Sequence, residues 1–306
     1  MSSNKSKKED NSDLVLSSFS SNTDISIISK SNEEIVFDIT NIEPPVANAL
    51  RRILLSEIPT MAIDKVIINQ NTSIIPDEVL SHRLGLIPIF ADADDFEYKK
   101  DNEDYNEKNS LTFHLKVQCK KNEKGELINH EVYSNQLVFV PKGNQATKFK
   151  GDKAIRPVHS DILVHKLGVG QEIDIECICL KGIGRTHMKW SPVCTAYYRL
   201  LSQITFKEDI KGDDAVEIMN LCPMKVFDVK NDKLIVKNIR NCTTCRECTR
   251  NQKHQELVNL GKESGHYEFH VESVGIYKVE TIFIKALKVL KDKCKMWNDL
   301  LIQQDN

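Results

Sequence analysis

The sequence has no apolar run long enough to cross a membrane and no excess of charge of either sign. It contains 42 Lys and Arg against 44 Asp and Glu, which gives a net charge of −2. A membrane-spanning helix needs roughly 20 consecutive apolar residues. A protein that holds nucleic acid mainly by electrostatics carries a basic excess. The start, MSSNKSKKEDNSD, also lacks the apolar centre of a signal peptide. We therefore expect a soluble intracellular protein with no membrane partner and no direct sequence-specific contact with nucleic acid.

Patterns that carry catalysis are missing as well. The chain has no P-loop, no nucleophile elbow and no zinc-protease motif. It also has no aspartate triplet of the kind that holds the metal ions of a polymerase. We therefore expect a protein that is not itself an enzyme.

Cysteine is present, with nine residues, although nothing marks the chain for secretion. Such usage favours reduced thiols or a metal site over a disulfide framework. Cys222 precedes a proline, and Cys242, Cys245 and Cys248 follow at spacings of three. Thiols at i, i+3 and i+6 do not share one helix face, so they are expected to wrap around a compact centre. The intervening VFDVKNDKLIV predicts a hairpin that returns Cys222 towards the other three.

These four cysteines are candidate ligands of one iron–sulfur cluster with three or four irons. Bacterial-type ferredoxins use a CxxCxxC run plus a remote cysteine before proline. Position 252 is Gln, so only one complete ligand set exists. Structural zinc and uncommitted thiols remain as alternatives, although zinc sites more often use two separated CxxC pairs. The other five cysteines are expected to be small core residues: Cys119, Cys177, Cys179, Cys194 and Cys294.

An amphipathic helix is predicted to begin at the paired prolines Pro44 and Pro45, which suit the first turn of a helix. Pro59 is expected to end it. Spacings of three and four place these apolar residues on one face: Val46, Ala49, Leu50, Ile53 and Leu54. Arg51 and Arg52 lie beside that face. A strand over residues 61–69 and a short helix ending at Gly85 are predicted to follow.

A second long amphipathic helix is predicted between Gly275 and about Ile302. Its apolar positions step by four and three: Val279, Phe283, Ala286, Leu290, Cys294, Trp297 and Leu301. The lysines on its flanks, including Lys285 and Lys293, are expected to be solvated, with phosphate binding as the alternative. The two helices have more apolar surface than one small sheet can cover. We therefore expect a large partner interface with an apolar centre.

The remaining segments suggest a discontinuous α+β fold. Residues 1–21 are polar and predicted to be a disordered tail. Residues 22–91 and 264–306 are predicted to form one domain from a sheet and the two long helices. Residues 92–263 form an inserted β-rich domain, whose residues 211–255 make a small ferredoxin-like cysteine-rich subdomain. The acidic stretch 91–110 is expected to be a solvated loop.

Two groups of motifs carry a family resemblance. ANALRRILLSEIP followed by DEVLSHRLGLIPI resembles the signature of the alpha-like subunits of multisubunit RNA polymerases, a family that includes the archaeal alpha-like subunits and the N-terminal domain of bacterial alpha. RPVHSDILVHKLGVGQEIDIECICLKGIG and HMKWSPVCTAYYRLL look like the larger alpha-like subunit shared by RNA polymerases I and III. The resemblance covers roughly residues 35–301. Some archaeal and eukaryotic members of the family carry a ferredoxin-like insert, whereas others lack it.

The resemblance implies a non-catalytic assembly subunit of RNA polymerases I and III, which make ribosomal and small RNAs in the nucleolus and nucleoplasm. It would pair with a smaller alpha-like subunit, and the pair would nucleate assembly of the large catalytic subunits. The predicted interface comprises Val46, Ala49, Leu50, Arg51, Arg52, Ile53, Leu54, Phe283, Leu290 and Trp297. An iron–sulfur electron-transfer protein is the alternative, although it explains the cysteines alone. A zinc-type nucleic-acid module is disfavoured by the near-neutral charge.

Overall fold

A computed structural model describes residues 22–304, so the predicted tail, residues 1–21, lies outside the described residues. The helices within this range are α1 Pro44–Ser56, α2 Asp77–Gly85, α3 Gln145–Lys148, α4 Gly212–Leu221, α5 Gln252–Leu257 and α6 Val279–Gln304. None of the helices among residues 22–304 combines the length and the hydropathy that a membrane crossing requires.

The strands of the described residues are β1 Asp24–Lys30, β2 Glu34–Thr40, β3 Pro59–Asn71, β4 Ile89–Phe90, β5 Ser110–Gln118, β6 Lys120–Lys121, β7 Leu127–Ile128, β8 Glu131–Tyr133, β9 Val138–Val140, β10 Arg156–Pro157, β11 Leu163–Lys166, β12 Glu172–Ile183, β13 Val193–Phe206, β14 Phe227–Lys230, β15 Lys233–Val236 and β16 Val258–Ser273. The fold is therefore a mixture of α and β structure, as predicted. The predicted helices that became α1, α2 and α6 are confirmed.

The described chain divides into two compact units. One comprises residues 22–30, 36–47 and 197–270, and the other comprises residues 31–35, 48–196 and 271–304. Several long elements, including α1, β13 and β16, pass from one unit into the other.

The first unit contains most of a four-stranded sheet in the order β1-β2-β16-β13. The Phe37 ring of β2 stacks on the Phe269 ring of β16, with centroids 5.3 Å apart. A separate small core brings together these buried residues around α4: Ile210, Ala215, Ile218, Val226, Phe227, Leu234, Cys248 and Val258. The predicted hairpin is present as β14–β15. Its turn residues Asn231 and Asp232 have φ of 53° and 63°, the left-handed values that a tight hairpin needs.

The second unit is built on the antiparallel sheet β3-β12-β5-β9. The central strand β12 pairs with β3 from Ile173–Asn71 to Ile183–Pro59 and with β5 on its other side. Leu80 and Leu84 of α2 are fully buried in the core of this unit. Arg83 fixes α2 to β11, because its guanidinium donates hydrogen bonds to the carbonyls of Val164 and Leu163 at 3.0 and 2.7 Å.

The division of the sheets differs from the predicted division into domains. Residues 59–91 share one sheet and one core with residues 110–183, across the predicted boundary at residue 91. The physical reason is the length of β3 and β12, whose backbone pairing could not be read from the sequence. The discontinuous dimerisation domain and the inserted domain remain predictions.

Two cysteines differ from expectation. Cys119, Cys177 and Cys179 are buried, as predicted for small core residues, whereas Cys194 and Cys294 are exposed. Cys294 lies in the second half of α6, where every residue from Cys294 to Gln303 is exposed. An apolar periodicity identifies a helix face but does not reveal whether that face is covered.

Candidate functional site

The four predicted ligand cysteines line a single pocket in the first unit. Cys222 lies at the end of α4, and the β14–β15 hairpin carries the chain back to Cys242, Cys245 and Cys248. The backbone N–H of Val226 donates a hydrogen bond to Cys222 Sγ at 3.4 Å. Donors of this kind stabilise negative charge on a sulfur ligand. The structure therefore brings together the thiols that the sequence singled out.

The segment between Cys242 and Cys248 is held in an irregular, tightly turned conformation. Thr244 and Arg246 have φ of 55° and 66°, in the left-handed region that residues with side chains seldom occupy. Ser202 of β13 donates a hydrogen bond to the Cys242 carbonyl at 3.0 Å and anchors the first thiol of the run. The backbone thus wraps around the pocket and not along a helix axis.

The pocket has apolar walls formed by Met224, Val226, Phe227 and Leu260. Burial raises the pKa of the Cys248 thiol to about 11, and the nearby thiols of Cys242, Cys222 and Cys245 add to the rise. Four crowded thiols oppose one another's ionisation, whereas a cation among them would favour the thiolate forms. This donor set therefore suits a metal centre.

A network of buried charges lies in the same unit, and sequence analysis missed it. The Arg240 guanidinium binds both carboxylate oxygens of Asp38, at 3.1 and 2.6 Å, and also contacts Glu268. The Arg199 Nε donates to Glu268 Oε1 at 2.7 Å. His270 lies 2.8 Å from the same oxygen.

Both carboxylates of this network are almost inaccessible to water, since their side chains are 4% and 2% exposed for Asp38 and Glu268. Burial alone would raise the pKa of Asp38, but the hydrogen bonds from Arg240 and His266 outweigh it and lower that pKa. Arg240 lies two residues before Cys242. The network therefore fixes the start of the cysteine run to β2 and β16.

The predicted interface residues of α1 fall into two groups. Leu50, Ile53 and Leu54 are buried within this chain, with Leu50 only 4% exposed. The four other predicted residues of this helix retain access to solvent: Val46, Ala49, Arg51 and Arg52. Arg51 donates hydrogen bonds to Asn48 Oδ1 at 3.2 and 2.9 Å, and Arg52 is exposed.

The predicted interface residues of α6 are more accessible. Phe283 and Leu290 are half-buried, and Trp297 is 60% exposed. The exposed apolar side chains around them are Ile284, Leu287, Met296, Leu300 and Leu301. Large exposed apolar patches mark interaction sites. The first turns of α6 pack inward instead, because Val279, Ile282 and Ala286 are fully buried.

An ion-pair cluster fixes α6 to the acidic stretch that was expected to be a solvated loop. Lys285 Nζ lies 3.0 Å from Asp92 Oδ1 and 2.6 Å from Asp94 Oδ2, and the lysine side chain is only 12% exposed. Lys293 binds Glu57 at 2.8 Å. The expectation of a solvated lysine was wrong for Lys285, because the carboxylates that bind it are far away in sequence, whereas the Lys293 side chain remains 43% exposed.

Comparison with known proteins links this geometry to one family. Residues 36–294 match the RNA polymerase Rpb3/Rpb11 dimerisation domain. The chain is 45% identical to the Dictyostelium discoideum protein named DNA-directed RNA polymerases I and III subunit rpac1, over 92% of this chain and 82% of that protein. It is 42% identical to the human protein of the corresponding name, over 94% and 87%. It is 31% identical to the DNA-directed RNA polymerase II subunit rpb3 of Dictyostelium discoideum, over 88% and 92%.

Proposed function

The chain belongs to the RNA polymerase Rpb3/Rpb11 dimerisation domain family, and from that premise we propose that it is a non-catalytic assembly subunit of RNA polymerases I and III. In this proposal it pairs with a smaller alpha-like subunit in the nucleus, including the nucleolus. The pair then provides the platform on which the large catalytic subunits assemble for ribosomal and small RNA synthesis.

The assignment to polymerases I and III rests on a comparison within one organism. Against two Dictyostelium discoideum proteins, identity is 45% to the subunit named for polymerases I and III and 31% to the subunit named for polymerase II. Both matches cover most of this chain, so the difference is not caused by one shared segment. The chain therefore follows the branch that is named for polymerases I and III.

We assign the exposed apolar face of α6 to the smaller alpha-like subunit. Leu287, Trp297 and Leu301 are 40%, 60% and 59% exposed, and their spacing places them on one side of the helix. Burying such side chains contributes about 1.5–3 kcal/mol each. The matched family model is a dimerisation domain. A second polymerase subunit that pairs through this domain is therefore the partner that we propose for the exposed apolar face.

On α1 we assign fewer residues to the partner interface than the sequence predicted. Leu50, Ile53 and Leu54 serve this chain's own core, so they act on the interface only by holding the helix in place. Val46 and Ala49 remain for partner contact. We assign Arg51 and Arg52 to the border with a large subunit, where planar guanidinium groups bind carboxylates or backbone carbonyls.

We propose that Cys222, Cys242, Cys245 and Cys248 hold one iron–sulfur cluster with three or four irons, inside a ferredoxin-like subdomain of residues 211–255. The shared pocket, its apolar walls and the N–H donor to Cys222 Sγ support this assignment. The subdomain core around α4 is small, so a bound metal centre would add stability that burial alone does not supply. The cluster's role would be structural.

The spacing of the thiols bears on the zinc alternative. Four thiolates bound tetrahedrally to zinc at about 2.3 Å lie about 3.8 Å apart. No three of the cysteine sulfurs among residues 22–304 lie within 4.8 Å of one another. The thiols as placed are therefore too far apart for a formed tetrahedral zinc site. The electron-carrier alternative would explain the cysteine segment alone, whereas family membership accounts for residues 36–294.

Reconstitution of the heterodimer tests the proposal. The chain and a smaller alpha-like subunit from the same organism would be co-expressed, with only one of them tagged. We expect a complex with one copy of each, stable through size-exclusion chromatography. As a control, an alpha-like subunit taken from polymerase II should compete poorly. Failure of the two chains to associate would refute the assembly role.

A further inference from the structure

A buried histidine lies in the first unit, outside the cysteine pocket. His254 of α5 is 0% exposed, and neither Nδ1 nor Nε2 has a hydrogen-bond partner within residues 22–304. An imidazole in this state has lost its hydrogen bonds to water without gaining any within the protein, which destabilises the folded state. Buried polar groups in proteins are normally satisfied by a hydrogen bond or by a bound water or ion.

Two carboxylates of α4 face this imidazole. Asp214 and Glu217 lie one turn apart on the helix, and their oxygens and a His254 ring nitrogen lie within 4.8 Å of one another. Among residues 22–304 this is the one group of three such side chains that comes so close. His254 Nε2 lies 3.7 Å from Glu217 Oε2, too far for a hydrogen bond.

We propose that Asp214, Glu217 and His254 form a binding site for a divalent transition-metal ion. Two carboxylate oxygens and one imidazole nitrogen are the ligand set that such ions accept. Ligands bound at about 2.1 Å lie about 3.0–3.4 Å apart, so small side-chain adjustments bring these three atoms around one ion. Water would complete the coordination, since Glu217 is exposed and Asp214 is half-buried. The ion would join α4 to α5, the helices that flank the cysteine run in sequence.

Lys253 competes with the proposed ion for the Asp214 carboxylate. Its Nζ lies 2.6 Å from Asp214 Oδ1, so the ammonium group already occupies one carboxylate of the proposed site. The lysine side chain is 62% exposed, so it can swing into solvent when a divalent ion neutralises the carboxylates. Removing its charge should therefore tighten metal binding. A purely structural role of the cluster predicts no such gain.

Cobalt titration of the full-length chain under anaerobic conditions tests the site and separates it from the cysteines. Co²⁺ bound by nitrogen and oxygen absorbs weakly in the visible range, whereas thiolate ligands add intense charge-transfer bands in the near ultraviolet. We expect one equivalent of Co²⁺ whose binding adds no charge-transfer band, retained in Cys245→Ser and displaced by excess Zn²⁺.

Three variants sharpen the test. Glu217→Gln changes an exposed side chain and should preserve the fold, yet weaken Co²⁺ binding roughly tenfold or more. Lys253→Gln should strengthen binding. Glu256→Gln is the matched control, because it removes an exposed carboxylate of α5 outside the cluster. Equal affinity in Glu217→Gln and wild type, or Co²⁺ bound by thiolates alone, would overturn the proposal. This inference is independent of the assignment to a polymerase.

Discussion

Replacing Arg240 by Met should strongly destabilise the chain, although the arginine side chain is 32% exposed. The substitution keeps an unbranched stem but removes the guanidinium that bridges Asp38 and Glu268. Both carboxylates lie on buried faces of their strands and have almost no access to compensating water. Both carboxylates would remain charged at neutral pH after losing their hydrogen bonds to the Arg240 guanidinium.

The expected loss in the free energy of unfolding depends on which groups still contact the two carboxylates in the variant. Breaking a buried ion pair by removing one partner costs about 3–5 kcal/mol. Arg199 and His270 still contact Glu268, and His266 lies 3.0 Å from Asp38, so the lower end applies. We expect a loss of about 3 kcal/mol in the free energy of unfolding at pH 7.

The loss should depend on pH in a defined direction. The folded-state pKa of Asp38 is lowered, and so is that of Glu268, where burial alone would raise it but hydrogen bonds from His270, Arg240 and Arg199 prevail. A lowered carboxyl pKa contributes stability above the unfolded pKa of about 4, and that stability is lost as the pH falls through the folded value. The difference between wild type and Arg240→Met should therefore shrink below about pH 4.

Urea unfolding of both proteins between pH 3 and pH 7, followed by circular dichroism, measures the effect. Arg250→Met is the matched control: its side chain is 78% exposed and pairs with Glu247 one turn earlier, so it should cost less than about 0.5 kcal/mol. A loss below about 1 kcal/mol for Arg240→Met, or a loss that is the same at both pH limits, would refute the role given to the network.

Three further predictions concern the interface and the cysteines. Trp297→Asp should cost at least about 2 kcal/mol of heterodimer affinity without unfolding the free chain. Size-exclusion chromatography checks this, with Gln303→Glu as a control that adds the same charge at an exposed position roughly opposite Leu301 on the same helix. Leu50→Ala should lower the free energy of unfolding of the chain alone by about 2–5 kcal/mol, because Leu50 is buried within this chain. An unchanged midpoint in urea unfolding without the partner would contradict this. Cys245→Ser should abolish iron incorporation and increase protease cleavage between residues 222 and 248 while the heterodimer still forms; elemental analysis and limited proteolysis measure both, and wild-type iron content in the variant would exclude Cys245 as a ligand.

Local features of the structure were predictable because local chemistry determines them. The prolines at the start of α1 and the Asn231–Asp232 turn each impose a backbone conformation on their neighbours. Gly85 ends α2 as predicted, but without the positive φ that was expected of it. The cysteine set was predictable for a similar reason, since spacing and a hairpin bring the thiols to one pocket.

Features that depend on distant pairing were not predictable. Asp38 and Arg240 are far apart in sequence, and no local pattern marks either as the other's partner. The same holds for Lys285 with Asp92 and Asp94. Periodicity also placed Leu50 and Trp297 on apolar faces alike, although one is covered by its own chain and the other is exposed. Burial by the chain itself and burial by a partner leave the same pattern in a sequence.

The proposal that this chain is a subunit of two polymerases is tested most directly by identifying the proteins that copurify with it from cells. The chain would be tagged at its natural expression level and purified from native lysate, and the associated proteins would be quantified by mass spectrometry. We predict recovery of a smaller alpha-like subunit with the large subunits of both RNA polymerase I and RNA polymerase III. Trp297→Asp should lose all of these proteins together, and Gln303→Glu should retain them. Recovery of RNA polymerase II large subunits instead, or of no polymerase subunit, would contradict the account.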